Sequence, residues 1–524
     1  MNNLTITNVK DQVKNHDYLS DDNKKLFADS FDTLSAKQYS DIMDEENNQY
    51  VNFVQQGGGV WGIALVGYLY ALEIFGIRFL RLAGTSAGAI NTLLIAAIGK
   101  RNEPKSGKIK DILNDWKLIE LVDGRPIVRW LLRNIVYKKA SLTITLVLAA
   151  LIFLTLFFYP FIAILTGWGI TFYITALVAL ACFIIFCVYY LGKFNRHKFG
   201  LNPGNDFLEK LKKALADNSV NTIAELDKKY EASEAGLNVK HRFGNDYFSI
   251  AKQEIENTYL KSKEQIDESK FKRFKDEINE KFATNPLLLL KSDYTIITTD
   301  INNKIKVELP KMASLFWDSA EYTSHSPAEF VKASMSIPIF FEPTIKKINN
   351  QDPAIQKAWE QILNIKDPAG ITGEAVFIDG GSISNFPIDI FHERDVLWPR
   401  LPVFGVRLND VTPVKKGTAL AVLNLPKFFK SLPAYGGQII DTIRSFNDNS
   451  FLMKYSFYNK YAIAEVNCNP SNWLNFEMTE TEKKALYNKG FAAGIEFLKR
   501  FEWDEYKKDR MVVAFKERGV FKSV

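Results

Sequence analysis

The chain holds only three cysteines in 524 residues, Cys182, Cys187 and Cys468. That is too few for a disulfide framework or a cysteine-built metal centre, and no metal or other cofactor is expected. A concentrated basic stripe is also missing. The formal charge of +6 is small for this length, so nucleic acid is not an expected partner. The first residues, "MNNLTITNVKDQVKNHDYLSDDNKK", lack the basic start and apolar run of a secretory signal. The expectation is a chain made and kept on the cytoplasmic side. No internal repeat or low-complexity linker is found.

Charge itself is absent from one stretch. Between Ser141 and Gly192 there is no charged residue and no histidine. A bilayer span needs about 20 apolar residues, and this run accommodates two, with "TGWG" (Thr166 to Gly169) as the turn. Arg125, Arg129, Arg133, Lys138 and Lys139 precede it, and Lys193, Arg196 and Lys198 follow. The positive-inside rule then puts both flanks in the cytoplasm. The expectation is a two-helix, multi-pass membrane protein with its catalytic domain and both termini cytoplasmic and the bilayer as a partner.

What is present is α/β alternation. Residues 1–50 read as an N-terminal helical extension. Residues 51–140 hold a strand running into glycines, a helix, a second strand, a tight turn and a second helix. After the hairpin at 141–192, residues 193–524 continue the alternation, with a charge-rich helical insertion near 231–285. "SDYTIITTDINNKIKVEL" predicts two strands joined at Asn302–Asn303. "EAVFIDGGSISNFPIDIF" predicts a strand, a glycine turn and a return, and "TETEKKALYNKGFAAGIEFLKRF" a helix capped by threonine.

The glycines of "VQQGGGVWGIAL" allow two chemistries. Gly57, Gly59 and Gly62 fit a dinucleotide loop, and the same backbone could aim N–H groups at a reacting oxyanion. A dinucleotide site calls for an acidic residue at the end of the next strand, about 20 positions on. That strand, "IRFLRLA", ends instead in "GTSAG". Gly84 to Gly88 form a G-x-S-x-G elbow between strand and helix. The glycines remove side chains that would crowd Ser86, whose hydroxyl lies near a helix N-terminus. A serine nucleophile needs a base. None of the five histidines, His16, His197, His241, His325 and His392, has the setting of a catalytic loop. Asp379, between an apolar strand and Gly380–Gly381, is the candidate, although Asp–Gly is also a common turn dipeptide.

"GGGVWG", "GTSAG" and "DGGSISNFP", in that order, resemble the patatin-like phospholipase family. "FGLNPGNDFLEKLKKAL", "YTIITTDINNKIKVEL", "KASMSIPIFFEP" and "WLNFEMTETEKKALYNKGFAAGIEFL" resemble its connecting segments. The resemblance implies a three-layer α/β/α hydrolase fold, interrupted in this chain by the transmembrane hairpin. It also implies a Ser–Asp dyad of Ser86 and Asp379 and an oxyanion hole from Gly57, Gly58 and Gly59. Gly62, Gly84, Gly88, Gly380 and Gly381 support these motifs. The implied activity is hydrolysis of fatty-acyl esters of membrane phospholipids or related lipids. The alternatives are a catalytically silent, membrane-tethered scaffold, or a neutral-lipid esterase or thioesterase. Trp61 departs from the family, which often carries arginine or lysine at that place. The indole either packs beneath the loop or touches an acyl chain.

Overall fold

The strand nearest the glycine loop is buried along almost its whole length, Gln49–Gln55 (β2), because parallel neighbours flank it on both edges. A computed structural model describes residues 3–116, 202–235, 266–284, 293–367, 370–393, 399–409 and 444–520, with isolated positions between them. Ten strands make one mixed sheet: β1 (Ile42–Met43), β2, β3 (Ile77–Thr85), β4 (Lys240–His241), β5 (Asp293–Asp300), β6 (Ile305–Leu309), β7 (Thr344–Lys347), β8 (Glu374–Asp379), β9 (Val403–Asn409) and β10 (Ile463–Asn467). The order is β10-β9-β2-β3-β5-β8-β7, with β1 on β2, β4 on β1 and β6 on β5. The pairs from β10 through β5 are parallel. β6 and β8 pair antiparallel with β5.

The pairing on β5 decides where the site forms. β3 occupies one edge of β5 up to Thr85 opposite Ile297. β8 pairs with the remainder, Asp379 opposite Thr298, in the reverse direction. Because β6 pairs with Ile296 to Asp300, it must lie on the other edge. β3 and β8 therefore meet head-on along one edge of β5.

Helix α1 (Asn3–Lys14) and helix α2 (Asp21–Ser35) place Val13, Phe27, Phe31 and Leu34 in the same core as the sheet. Helix α3 (Gly62–Glu73) packs on the C-terminal helix Glu480–Arg500. A methyl group on Gly67 or Gly490 would collide with the opposing helix backbone, so glycine at both positions permits the close approach. The aromatic pairs Phe53–Tyr68 at 6.0 Å and Phe404–Phe497 at 4.8 Å join these two helices to β2 and β9. Helix α4 (Ala87–Ala97) packs on β3 and β5, and Ala328–Ser334 packs on β5 and β8. Thr479 caps Glu480–Arg500 in a reciprocal box with Glu482, as its sequence predicts.

The multi-pass membrane localisation read from the sequence is corrected. Among the described residues no helix is long and apolar enough to cross a membrane. The one described helix of sufficient length, Glu480–Arg500 with 21 residues, carries Glu480, Glu482, Lys483, Lys484, Lys489 and Glu496 and buries only part of its circumference. The Ser141–Gly192 hairpin lies outside the described residues, apart from isolated positions. Among the described residues the architecture is an α/β fold on a mixed sheet. His241 is in β4.

Candidate active site

Ser86 lies between the last residue of β3 and the first of α4, with φ 52° and ψ −119°. A non-glycine residue there is strained, by about 1–3 kcal/mol, and persists only where its surroundings over-determine it. Those surroundings are visible. The Ser86 N–H donates to Ser334 Oγ at 2.9 Å, and its carbonyl accepts from Ala89 at 2.9 Å and Ile90 at 3.2 Å. Gly84 and Gly88 let the turn close: a side chain on Gly84 would strike the Gly88 carbonyl, and one on Gly88 the Gln55 carbonyl.

Asp379 ends β8 and arrives from the opposite direction. Its N–H donates to the Ser336 carbonyl at 2.9 Å, and its Oδ1 accepts from the Gly381 N–H at 2.6 Å. Ser86 and Asp379 line the same cleft, and Ser86 is among the groups that act on this carboxylate. Asp379 is 5% exposed. Burial pushes its pKa up to about 6, although the Ser86 hydroxyl, the Arg444 charge and the Gly381 N–H each pull downward. The side chain is thus ionised near neutrality yet far more basic than an ordinary aspartate.

The glycine loop lies against both. Gly57 does not offer its N–H outward: it donates to the Asn385 carbonyl at 3.0 Å, while Asn385 Nδ2 returns a bond to the Gly57 carbonyl at 3.2 Å. Val60 N–H is held by the Trp473 carbonyl at 2.9 Å, and Gly59 takes φ +54°. Among the described residues the N–H groups of Gly58 and Gly59 have no acceptor, nor has that of Ala87, the residue after Ser86. Of the three glycines read as oxyanion donors, two are therefore open to a ligand. Ala87, which sequence reading left out, is open as well. The elbow motif is the signal that could have found it, because the residue after the nucleophile supplies a donor in that geometry.

Asp448 was missed entirely. It is 6% exposed, on the helical stretch 444–454. It accepts from Ser384 Oγ at 2.8 Å, Asn385 N–H at 2.9 Å and Phe386 N–H at 2.7 Å. Thr85 Oγ1 donates to the Ser384 carbonyl at 3.1 Å. Asp448 so fixes the short segment 384–386, which in turn holds the Ser86 strand through Thr85 and the glycine loop through Gly57. Burial also raises the Asp448 pKa to about 6, against the hydrogen bonds from Ser384, Phe386 and Asn385.

Ser86, Asp379 and Gly57–Gly59 line one cleft of ≈ 730 Å³. Its walls include Arg407, Arg444, Asp448 and Trp473, with Ile337 and Ile339 at the apolar side. Behind Gly59 and Ala87 lies a second, apolar pocket of ≈ 50 Å³, lined by Val60, Ile63, Ile90, Met335 and Phe476. Trp61 is 7% exposed, part of the hydrophobic core and also a wall of the cleft, with an indole N–H that has no partner among the described residues. The cations of the cleft come instead from Arg407 on β9 and Arg444, whose Nε donates to the Gly381 carbonyl at 3.0 Å. No described histidine lines the cleft. His16 is packed between Tyr70 and Tyr487, His325 against Glu329, and His392 between Tyr458 and Glu517. His197 lies outside the described residues. Among the described residues no group of three or more His, Cys, Asp or Glu is gathered to hold a metal ion.

Comparison with known proteins agrees with the first half of this constellation. Residues 53–159 match the family model described as patatin-like phospholipase, a span that carries the glycine loop and the Ser86 elbow. This supports a lipid-hydrolase family. An uncharacterized protein of Bacillus subtilis (strain 168), YqhO, is 56% identical over 48 residues, which is 9% of this chain and 16% of that protein. The crystal structure of VipD from Legionella pneumophila is similar with a TM-score of 0.33 and 14% identity, covering 88% of this chain and 71% of that one.

Proposed function

We propose that this chain is a serine acyl hydrolase that cleaves fatty-acyl esters of phospholipids or closely related lipids through a Ser86–Asp379 dyad. The observation that carries the reading is the convergence of Ser86 and the buried Asp379 carboxylate, of raised basicity, on one cleft. Unoccupied backbone N–H groups in the same cleft complete what acyl transfer needs. The family match over residues 53–159 supports lipid as the substrate class.

In this mechanism Ser86 Oγ attacks the ester carbonyl carbon as Asp379 takes the hydroxyl proton. The carbonyl oxygen becomes an oxyanion and accepts from Gly58, Gly59 and Ala87. Preorganised N–H groups stabilise that charge without reorganisation, and losing one such donor costs about 100- to 1000-fold in rate. The intermediate collapses with cleavage of the carbonyl–oxygen bond, and Asp379 returns its proton to the leaving alkoxide. Water, deprotonated by the same aspartate, then attacks the acyl-enzyme. The new tetrahedral adduct releases the fatty acid, and the proton returns to Ser86. Arg407 and Arg444 suit a phosphate-bearing leaving group, and the apolar pocket behind Gly59 suits the acyl chain.

The test is fatty-acid release from dispersed phospholipid by the wild type and by Ser86→Ala, with a fluorophosphonate probe in parallel. Release and labelling by the wild type alone are expected. Equal release by both proteins would overturn the mechanism.

A further inference from the structure

Away from the cleft, four basic side chains converge on one small cavity that Glu103 also lines: Arg78 of β3, Arg101 and Lys105 after α4, and Lys229 of the helix Ile223–Ala235. Three are almost fully buried, Arg78 and Arg101 at 8% exposure and Lys105 at 3%. Each of the four bonds to backbone carbonyls. Arg78 donates to Asn102 O at 2.6 Å, Ile77 O at 2.9 Å and Glu73 O at 3.0 Å. Lys229 Nζ donates to Ala97 O at 2.5 Å and Asn218 O at 2.8 Å, Lys105 Nζ to Lys100 O, and Arg101 Nη2 to Tyr230 O at 3.4 Å. Carbonyls satisfy donors but bring no net negative charge.

The nearby carboxylates Glu73 and Glu103 attract these cations from beyond contact and take their hydrogen bonds from other donors. Glu73 receives Lys105 N–H at 2.7 Å, Ser106 N–H at 2.9 Å and Ser106 Oγ at 2.5 Å, and Glu103 receives Lys100 N–H at 3.1 Å. No described carboxylate lies within ion-pair distance, 4.0 Å, of any of the four cations. Burial pushes the Lys105 pKa down to about 8, with Arg78 and Lys229 adding repulsion against the attraction of Glu73 and Glu103. Arginine has no such escape, because a guanidinium does not deprotonate in proteins. Arg101 stacks on Tyr230, 4.4 Å above the ring centroid, and its buried Nε and Nη1 have no partner among the described residues. A buried guanidinium with unpartnered donors costs several kcal/mol, roughly, unless a hydrogen-bonding partner is supplied.

We propose that this cavity is a binding site for one small inorganic anion, held by Arg101 Nε and Nη1 and balanced by Arg78, Lys105 and Lys229. The cavity volume of ≈ 20 Å³ admits a single water-sized occupant, which selects an ion of chloride size over a nucleotide, a carboxylic metabolite or a lipid head group. The anion joins the beginning of β3 to the segment after α4, and Lys229 holds the last turn of α4 through Ala97 O. It thereby ties together, at their far ends, the two elements whose junction carries Ser86. The site stands independently of the reaction proposed for Ser86.

Thermal unfolding of the full chain, measured in sodium chloride, sodium bromide and sodium gluconate at equal ionic strength, tests it. Chloride and bromide should raise the midpoint saturably, by about 1–4 °C relative to gluconate. Arg101→Met should abolish the difference while leaving the gluconate midpoint unchanged or higher, since a buried charge has gone. Lys229→Met should weaken the halide effect about tenfold. Line broadening of the chloride nucleus in NMR, present with wild type and absent with Arg101→Met, provides a readout that needs no unfolding. Equal midpoints in all three salts, or a halide effect that survives in Arg101→Met, would overturn the proposal.

Discussion

Ser86 and Asp379 meet because the strands that carry them, β3 and β8, run head-on along the same edge of β5, with Thr85 opposite Ile297 and Asp379 opposite Thr298. Asp379 ends β8 and Ser86 directly follows the last residue of β3, and β5 sets the register of both strands, so backbone pairing positions the two residues. That arrangement has consequences for stability, pH dependence and tolerance of substitution.

Asp379→Asn should stabilise the protein while abolishing turnover. Burial raises the folded pKa of Asp379 from 3.8 to about 6. The folded protein thus favours the protonated form, and ionisation opposes folding. The penalty is absent below the unfolded value, grows as pH rises, and is complete above about 6. With a pKa unit worth about 1.4 kcal/mol, the asparagine variant should gain on the order of 3 kcal/mol at pH 8. Denaturant unfolding between pH 4 and 8 checks this. A gain that failed to shrink below pH 6 would assign the stabilisation to another cause.

The acid limb of kcat/KM should fall near pH 6, above the range of an ordinary carboxylate, because in the proposed mechanism Asp379 is ionised when it accepts the Ser86 proton. Asp448 also titrates near 6 and holds Asn385 and Phe386 in its ionised form. Loss of both protons should therefore be required, giving a limb steeper than one decade per pH unit. Asp448→Asn should reduce kcat with little change in KM and return the slope to one proton. An unchanged slope would remove Asp448 from the positioning of the loop.

Within the glycine loop, alanine should be tolerated unequally. At Gly58 the added methyl meets the end of the Leu408 side chain, which can rotate away. At Gly59 it would meet the Trp473 backbone carbonyl on a residue held at φ +54°. Gly59→Ala should therefore lower kcat by about 100-fold or more, the cost of displacing an oxyanion donor, and Gly58→Ala by much less. Steady-state kinetics of the two variants, with unfolding midpoints alongside, decide the point.

Much of this site was legible along the chain because its signals are local. "GTSAG" between an apolar strand and an apolar helix and "FIDGG" at a strand end each state their own geometry within a few residues. The strands at Asp293–Asp300 and Ile305–Leu309 and the capped helix Glu480–Arg500 were equally local. Asp448 carries no such signal. It is one polar residue on a helix, and its role arises only when residues 384–386 come within hydrogen-bond reach. Ser334, 248 residues from Ser86 in sequence, is illegible for the same reason. The occupied N–H of Gly57 could not be foreseen either, since the motif shows which groups exist and not which are already bonded.

Hydrophobic period, turn chemistry and glycine spacing by themselves determined the α/β alternation, the elbow at Ser86 and the turn after Asp379, because these are short-range steric properties of the backbone. Only the tertiary structure decided which edge of β5 each strand occupies, which glycine N–H groups remain open, and that Asp379 is buried with its pKa raised. Those depend on pairing and burial between segments far apart in the chain, where desolvation and hydrogen-bond competition, not local conformation, set the outcome.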